Sequence, residues 1–518
     1  MYLSRIMTII MLTLSLALSL QTRSHAIDAA TQDLAFDSLN NKFYHASNGT
    51  GWYAFDTNSG AEPDRYSFWK MAEQMEMVED AYERTNNNTY KGMIHEMFNG
   101  LNSLSGGGPD WGSWNTFYDD IMWAVIACVR AYWDTGDRNY LTTAEWQFNK
   151  AWTGATTGIA SNGSQGLWQT KTHDWKDSAV CGPAIIAAVY LSWADPNTGY
   201  KADAENVSHY YFNTLVYSSG EVAQGQKSNG TIVPGPLSYN EGTCIGAALA
   251  MFNAGEGSNY LNYAYNAAYW TRNSYAGTNG APAGILPGEY DSKGGAGDNP
   301  GFKGIFGRWA SLWARQLGYT DYMSFLQNNA NVAWAHRNGN GVTWSIWYQN
   351  DPNSYMTSWE CSSAVAMEQD VDADAPPSGW MNIPIALWSG AASHYVSTNL
   401  NWGDNLQAGF ANTIGSWEKF ELVPVDPHHG FVALKSMQTG YYVSVDLNDS
   451  NRLKAAWATS PSTWEKFEFS FVGSGKVALK SCVTGYWVSC DLNSSDVLRA
   501  AWAKTPSTWE TFNGYSAP

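Results

Sequence analysis

The sequence predicts two folds in tandem: an all-α (α/α)6 barrel followed by an all-β β-trefoil. Three observations predict them. From Asp28 to about Asp370 helix follows helix, twelve in succession, with almost no alternating strand pattern. The even-numbered helices of that series are the more continuously apolar. Beyond an acidic, Pro-rich stretch, one pattern occurs three times, at offsets of 47 and then 45 residues.

The first 26 residues stand apart from both folds. Arg5 precedes an apolar run, Ile6 to Leu20, and Ser24-His25-Ala26 has the small-x-small form of a signal-peptidase site. The run is too short for a comfortable membrane span. Residues 1–26 are therefore expected to be a signal peptide. No second long apolar run and no hydrophobic tail follow, so the mature protein is expected to be secreted, with no membrane partner.

The helices are predicted at 29–46, 65–85, 88–101, 116–135, 139–152, 176–194, 200–218, 241–253, 257–275, 302–317, 320–337 and 357–370. Gly136, Pro196 and Gly318 supply stop signals. Runs such as Ala179 to Tyr190 and Cys244 to Phe252 are apolar all round, which places them inside. Twelve helices make six hairpins, and six hairpins close into a ring. The inner helices of such a ring run parallel, so their N-termini share one rim. Polar residues collect there: Asp119 and Asp120, Lys176 and Asp177, Asn240 and Glu241, and Lys303. The long Gly-rich loops, Ser218 to Tyr239 and Asn279 to Gly301, lead to the same rim. The helical domain is placed at 27–370.

Asp370 to Gly379 is acidic and Pro-rich, and reads as a linker at 371–380. In the final domain, 381–518, Ala386-Leu-Trp-Ser returns as Ala433-Leu-Lys-Ser and Ala478-Leu-Lys-Ser. Gly415-Ser-Trp-Glu-Lys-Phe returns as Ser462-Thr-Trp-Glu-Lys-Phe and Ser507-Thr-Trp-Glu-Thr-Phe. Each unit shows short strands between Gly, Asn and Asp turns, and three four-strand units make a β-trefoil. The repeated Ala-Leu-Lys-Ser pattern, with His394-Tyr-Val-Ser returning as Tyr441-Tyr-Val-Ser and Tyr486-Trp-Val-Ser, resembles the fascin-like trefoil family, here a candidate carbohydrate-binding module. Trp417, Trp464 and Trp509 read as repeat-core residues.

Composition narrows the function. A formal net charge of −18 repels nucleic acid and anionic lipid. Loss of Arg5 and Arg23 with the leader makes the mature chain more acidic still. Only 15% of residues are charged, while 27 are Trp and 30 are Tyr, types that stack on sugar faces and offer a polar handle. None of the six cysteines has CxxC spacing, and the first four fall in apolar helices, where buried thiols are expected. Asp291 and Asp298 lie in a Gly-rich loop but lack calcium-ligand spacing. No metal and no cofactor are expected.

The chemistry points to Trp114 to Trp123. Asp119 and Asp120 stand side by side at the start of an apolar helical run, between Phe117-Tyr118 and Trp123. Acids also favour a first helical turn for its exposed amides, with Asn115 or Thr116 as cap. Adjacent aspartates, however, repel, which raises the pKa of one and divides their labour. Glycoside hydrolysis needs that division.

Four stretches carry a resemblance to glycoside hydrolase family 76, the endo-α-1,6-mannanases. They are Tyr118-Asp-Asp; Gly166-Leu-Trp168 with Trp175-Lys-Asp-Ser; Ser238-Tyr-Asn-Glu-Gly-Thr243; and Phe302-Lys-Gly-Ile-Phe306 with Arg308. Met122-Trp123 and Gln169 depart from the family pattern. The resemblance implies an (α/α)6 barrel and a retaining mechanism on α-1,6-mannan, with Asp119 as nucleophile and Asp120 as general acid/base. Tyr118, Trp168, Asn240, Glu241 and Lys303 are the candidate substrate contacts, and Arg308 a structural partner one turn deeper. The protein is expected to act as a monomer. Transglycosylation between glycans, or glycan binding without catalysis, are the competing readings.

Overall fold

The computed structural model describes residues 27–58, 64–85, 87–104, 108–195, 199–254, 256–257, 259–289, 297–317, 319–350, 355–371, 384–426, 431–471 and 476–516. The signal segment 1–26, the linker beyond Val371, and Pro196, Asp291 and Gly318 lie outside the described residues.

Among the described residues, twelve long helices form the N-terminal part: α1 (Ala29–Phe43), α2 (Phe68–Thr85), α3 (Asn88–Ser103), α4 (Tyr118–Thr135), α5 (Arg138–Ala155), α6 (Ser178–Ala194), α7 (Tyr200–Thr214), α8 (Ser238–Asn253), α9 (Asn259–Trp270), α10 (Phe302–Leu317), α11 (Thr320–Ala335) and α12 (Ser358–Asp370). The even-numbered helices close an inner ring. α4 packs against α2 and α6, and α12 against α2. Glycines set the remaining approaches. A Cβ on Gly182 of α6 would lie 3.0 Å from Thr243 of α8. One on Gly242 of α8 would lie 2.6 Å from the Phe306 backbone of α10, and one on Gly304 of α10 2.8 Å from Ser363 of α12. The odd helices α3, α5 and α7 back onto α2, α4 and α6. This is an α/α barrel, with the apolar helices inside as their composition requires. Every residue from Ser178 to Leu191 and from Tyr118 to Ala131 is buried.

The barrel interior also holds a charge network. Arg130 of α4 reaches Glu76 at 3.0 Å, Asp80 at 2.6 Å and Glu83 at 2.9 Å on α2. Arg308 of α10 reaches Glu73 at 2.6 Å and the other oxygen of Asp80 at 3.0 Å. Asp80 thus ties three inner helices together, which bears out Arg308 as a structural partner. Its two arginines hold its carboxyl below the usual range despite burial.

Among the described residues, two small sheets interrupt the helical pattern. Where the first helix was expected to continue to residue 46, a hairpin forms instead: β1 (Tyr44–Ser47) and β2 (Thr50–Tyr53). Its turn residues, Asn48 and Gly49, have φ of 54° and 76°, the left-handed values that Asn-Gly adopts in a two-residue turn. A second sheet, β3 (Trp175–Asp177), β4 (Gly225–Lys227) and β5 (Ile232–Val233), joins the start of α6 to the Gly-rich loop before α8. Gly136 ends α4 in the left-handed conformation, as expected.

The C-terminal part is an antiparallel β-barrel. Its strands are β6 (Pro384–Ser389), β7 (His394–Asn399), β8 (Asn405–Ala411), β9 (Phe420–Asp426), β10 (Phe431–Ser436), β11 (Tyr442–Asp446), β12 (Arg452–Ala458), β13 (Phe467–Phe471), β14 (Lys476–Ser481), β15 (Trp487–Asp491), β16 (Val497–Ala503) and β17 (Phe512–Ser516). Strands β6, β9, β10, β13, β14 and β17 pair in a closed cycle. The hairpins β7–β8, β11–β12 and β15–β16 meet through β8, β12 and β16. Leucines, valines and phenylalanines from all three repeats fill the core, with Cys490 among them as a thiol.

The tryptophans of the Trp-Glu motif are not core residues. Trp464 is exposed and Trp417 and Trp509 are half-buried. The buried position belongs to the following glutamate, because it satisfies polar groups: Glu418, Glu465 and Glu510 accept from Ser397, Ser444 and Ser489 at 2.6, 2.5 and 2.6 Å. Among the described residues no helix is long and apolar enough to cross a membrane.

Candidate active site

A cleft of about 680 Å³ opens at the N-terminal rim of the inner helices. Asp119 and Asp120, in the first turn of α4, both line it, and each is only 8% exposed. The helix N-cap is Phe117, which makes no side-chain cap. Asn115, an expected cap, does something else. Its Oδ1 accepts the Phe117 N–H at 2.9 Å, and its Nδ2 donates to Asp120 Oδ2 at 2.9 Å. One amide thus shapes the turn before the helix and holds the second carboxylate. Gln169 Nε2 donates to Asp119 Oδ2 at 3.0 Å. Asp119 Oδ1 is buried with no hydrogen-bond partner among the described residues. An unsatisfied buried carboxylate oxygen is costly, and here it belongs to a cleft-lining residue.

Aromatic rings wall the cleft. Trp69 lies 6.4 Å from Trp123 and 6.1 Å from Phe302, and Phe302 lies 4.1 Å from Tyr239 between ring centres. All four line the cleft, with exposed Phe117 and Tyr66 at its edge. Lys70 donates to the Gly297 carbonyl at 2.9 Å and pairs with Asp298 at 3.0 Å on the same wall.

Burial sets the electrostatics. It pushes Asp119 up to about 6, against the Gln169 hydrogen bond and the helix amides, which pull it down. Asp120 goes well above the usual carboxylate range, from burial first and then from the charge of Asp119; the Asn115 hydrogen bond and Lys70 oppose this. Asp119 is therefore the member that ionises first. A third acid, Asp177, caps α6 by accepting the Ala179 N–H at 2.8 Å, and burial pushes it up to about 7.

Of the residues expected at the site, Asp119 and Asp120 come together in the cleft. The others are not among the residues that line it. The Tyr118 ring turns onto Gly154, where an added Cβ would lie 2.5 Å from it. Trp168 donates its indole N–H to Thr157 at 3.1 Å and lies under the Lys176 ammonium. Asn240, Glu241 and Lys303 are fully buried. Glu241 accepts the Val222 N–H at 3.1 Å and so pins the loop before α8. Lys303 bonds the Ser345 carbonyl and sits 4.4 Å over the Trp347 ring, and burial pushes its pKa down to about 7. Glu241 and Lys303 thus spend polar atoms on loops that shape the rim.

Sequence reasoning missed Asn115, Gln169, Lys70 and Asp298 as site residues. Asn115 was legible as a cap and Gln169 as a departure from the family pattern. Nothing in the sequence links Lys70 to Asp298, which comes from the far end of the helical part.

A family model described as glycosyl hydrolase family 76 matches residues 26–376. In fold, the chain is similar to the GH76A α-1,6-mannanase of Salegentibacter sp. HEL1_6, at 24% identity and a TM-score of 0.58 over 66% of this chain and 98% of that one. An inactive variant of that enzyme, with two consecutive aspartates replaced by asparagine and α-1,6-mannotriose bound, matches at 24% identity and a TM-score of 0.57, over 66% and 98% of the chains. Dfg5 of Chaetomium thermophilum, in complex with glucosamine, matches at 15% identity and a TM-score of 0.50, over 67% and 91%. No curated protein sequence matches the chain.

Proposed function

The chain belongs to glycosyl hydrolase family 76, and on that premise we propose that it is a secreted, monomeric endo-α-1,6-mannanase that cleaves α-mannan with retention of anomeric configuration. The observation that carries this reading is the Asp119–Asp120 pair: two adjacent carboxyls lining one aromatic-walled cleft, held by different amides and set to different proton affinities. The paired aspartates replaced in the inactive Salegentibacter variant support it.

In the first step the Asp119 carboxylate attacks the anomeric carbon as the bond to the leaving oxygen breaks. Asp120 gives that oxygen its proton. In the second step the Asp120 carboxylate takes a proton from water, the water oxygen bonds to the anomeric carbon, and the ester to Asp119 breaks. Residue i and i+1 side chains diverge around a helix, so two neighbours can serve one sugar ring from different directions. The aromatic wall supplies stacking faces for sugars on either side of the bond.

Asp119→Asn and Asp120→Asn are the test. Each should reduce release of oligosaccharides from unbranched α-1,6-mannan by at least about a thousandfold. Unchanged release from either variant rejects the assignment. A second reading is transfer to another glycan; Dfg5, whose structure holds glucosamine, shares the fold. Products longer than the starting chains, formed when acceptor sugars are added, would favour it. Glycan binding without catalysis predicts no turnover in the parent protein.

For the C-terminal part, we infer a fascin-like β-trefoil spanning 381–518. The support is that three four-strand units pair in the same way, each with a buried Ser–Glu bond at the same place.

A further inference from the structure

The hairpins of the C-terminal barrel share one irregularity. In the first, Tyr395 pairs with Ala411 and Ser397 with Gln407, so three residues of β8 oppose the single residue Val396 of β7. In the second, the partners are Tyr442 with Ala458 and Ser444 with Lys454. In the third they are Trp487 with Ala503 and Ser489 with Arg499. The same bulge therefore stands at the same register in every repeat. Bulges re-aim side chains. The first residue of each bulge, Ala408, Ala455 or Ala500, is fully buried; the last, Phe410, Trp457 or Trp502, is 43%, 45% or 44% exposed.

An exposed aromatic at one position is ordinary. Three, aimed out by one repeated backbone device, form a pattern that core packing does not explain. Each is flanked by small residues: Gly409 and Ala411, Ala456 and Ala458, Ala501 and Ala503. Each is followed by two exposed residues with hydrogen-bonding side chains, Asn412-Thr413, Thr459-Ser460 and Lys504-Thr505. A second aromatic belongs to each unit. Trp417 lies edge-on to Phe410 at 6.3 Å. The carbonyls of Trp417, Trp464 and Trp509 accept from Thr398, Val445 and Cys490 at 2.8, 3.0 and 2.8 Å, so the three tryptophans are anchored alike.

We propose that Phe410, Trp457 and Trp502 are the platforms of three equivalent carbohydrate-binding sites that together grip one neutral polysaccharide. An aromatic face beside hydroxyl and amide groups matches the C–H face and hydroxyl rim of a pyranose. Five of the six flanking polar residues are uncharged, which fits a neutral glycan rather than a charged polymer. The strands that carry the platforms meet near their first residues, as in the pairs Lys454–Asn405 and Arg452–Arg499. The aromatics stand at the sixth position of each strand. Three separated sites suit a repeating chain better than one continuous protein partner. Naming α-1,6-mannan as that chain rests on the function proposed above; the platforms do not.

The test is native electrophoresis of the full chain, carrying Asp119→Asn to prevent digestion, through gels cast with a soluble polysaccharide. The panel is unbranched α-1,6-mannan, dextran, β-1,3-glucan and alginate. Mannan should retard the protein. Phe410→Ala, Trp457→Ala or Trp502→Ala should each weaken retardation by roughly fivefold, and the triple variant by roughly a hundredfold. Phe410→Tyr with Trp457→Tyr and Trp502→Tyr should restore most of it, which separates a lost platform from a misfolded domain. With Asp119 intact, the triple variant should hydrolyse α-1,6-mannotetraose at the parent rate. Retardation by dextran or glucan alone, abolished in the triple variant, keeps the platforms and removes mannan as their ligand. A triple variant retarded as strongly as its parent overturns the proposal. So does one that differs only in sedimenting mass, since the rings then serve contact between copies of the chain.

Discussion

Gln169 donates its side-chain amide to Asp119 at 3.0 Å, and its backbone carbonyl accepts the N–H of Tyr118 at 2.6 Å. One loop residue therefore grips the start of α4 twice, once at the carboxylate and once at the backbone beside it. Asn115 does the same from the other side, with Phe117 and Asp120. Both bonds lower the proton affinity of their carboxylates; burial, and on Asp120 the charge of Asp119, raise it.

The pH dependence of kcat/KM follows from that difference. Asp119 must be ionised to attack, and burial holds it near 6. Activity should therefore rise as pH increases through about 6. It should fall only where Asp120 surrenders its proton, well above the usual carboxylate range. A profile already flat at pH 5 would contradict these roles.

The two amides should move opposite limbs of that profile. The Gln169 bond lowers the pKa of Asp119, so Gln169→Ala should shift the acid limb upward by about one pH unit. The Asn115 bond lowers that of Asp120, so Asn115→Ala should shift the alkaline limb upward and leave the acid limb in place. Full pH profiles of both variants check this, and a purely structural role would depress activity without moving either limb.

Arg308→Met leaves Glu73 and Asp80 buried without one of their cations. Urea denaturation should show the helical part destabilised by about 3–5 kcal/mol. A loss below about 1 kcal/mol would mean that Arg130 alone can hold Asp80.

Gly242→Ala places a methyl 2.6 Å from the Phe306 backbone, which cannot yield as a side-chain tip can. The expected cost is about 1–3 kcal/mol from overpacking, read as a lower Tm with the acid limb unchanged.

The barrel was legible because burial of whole helices leaves a composition signal: Ala179 to Leu191 could only be an inside helix. The carboxylate pair was legible only with the rest of the chain, because two acids in a first helical turn read equally well as partners of its exposed amides. Asn240, Glu241 and Lys303 were placed at the correct rim, yet a polar residue in the first turn of a buried helix reads alike whether it faces a ligand or a loop. Val222 and Ser345, the groups that satisfy Glu241 and Lys303, lie 19 and 42 residues away. The Lys70–Asp298 pair spans most of the helical part, and no local pattern encodes it. The exposed aromatics of the barrel were hidden for another reason. A bulge breaks strand alternation, so Trp457 and Trp502 fall where simple periodicity gives no side.

Proton NMR of unbranched α-1,6-mannan during the first minutes of digestion tests the central claim most directly. The pair Asp119 and Asp120 predicts new reducing ends that appear as the α-anomer and only later mutarotate to the mixture. Reducing ends that appear first as the β-anomer, or no new reducing ends at all, would contradict it.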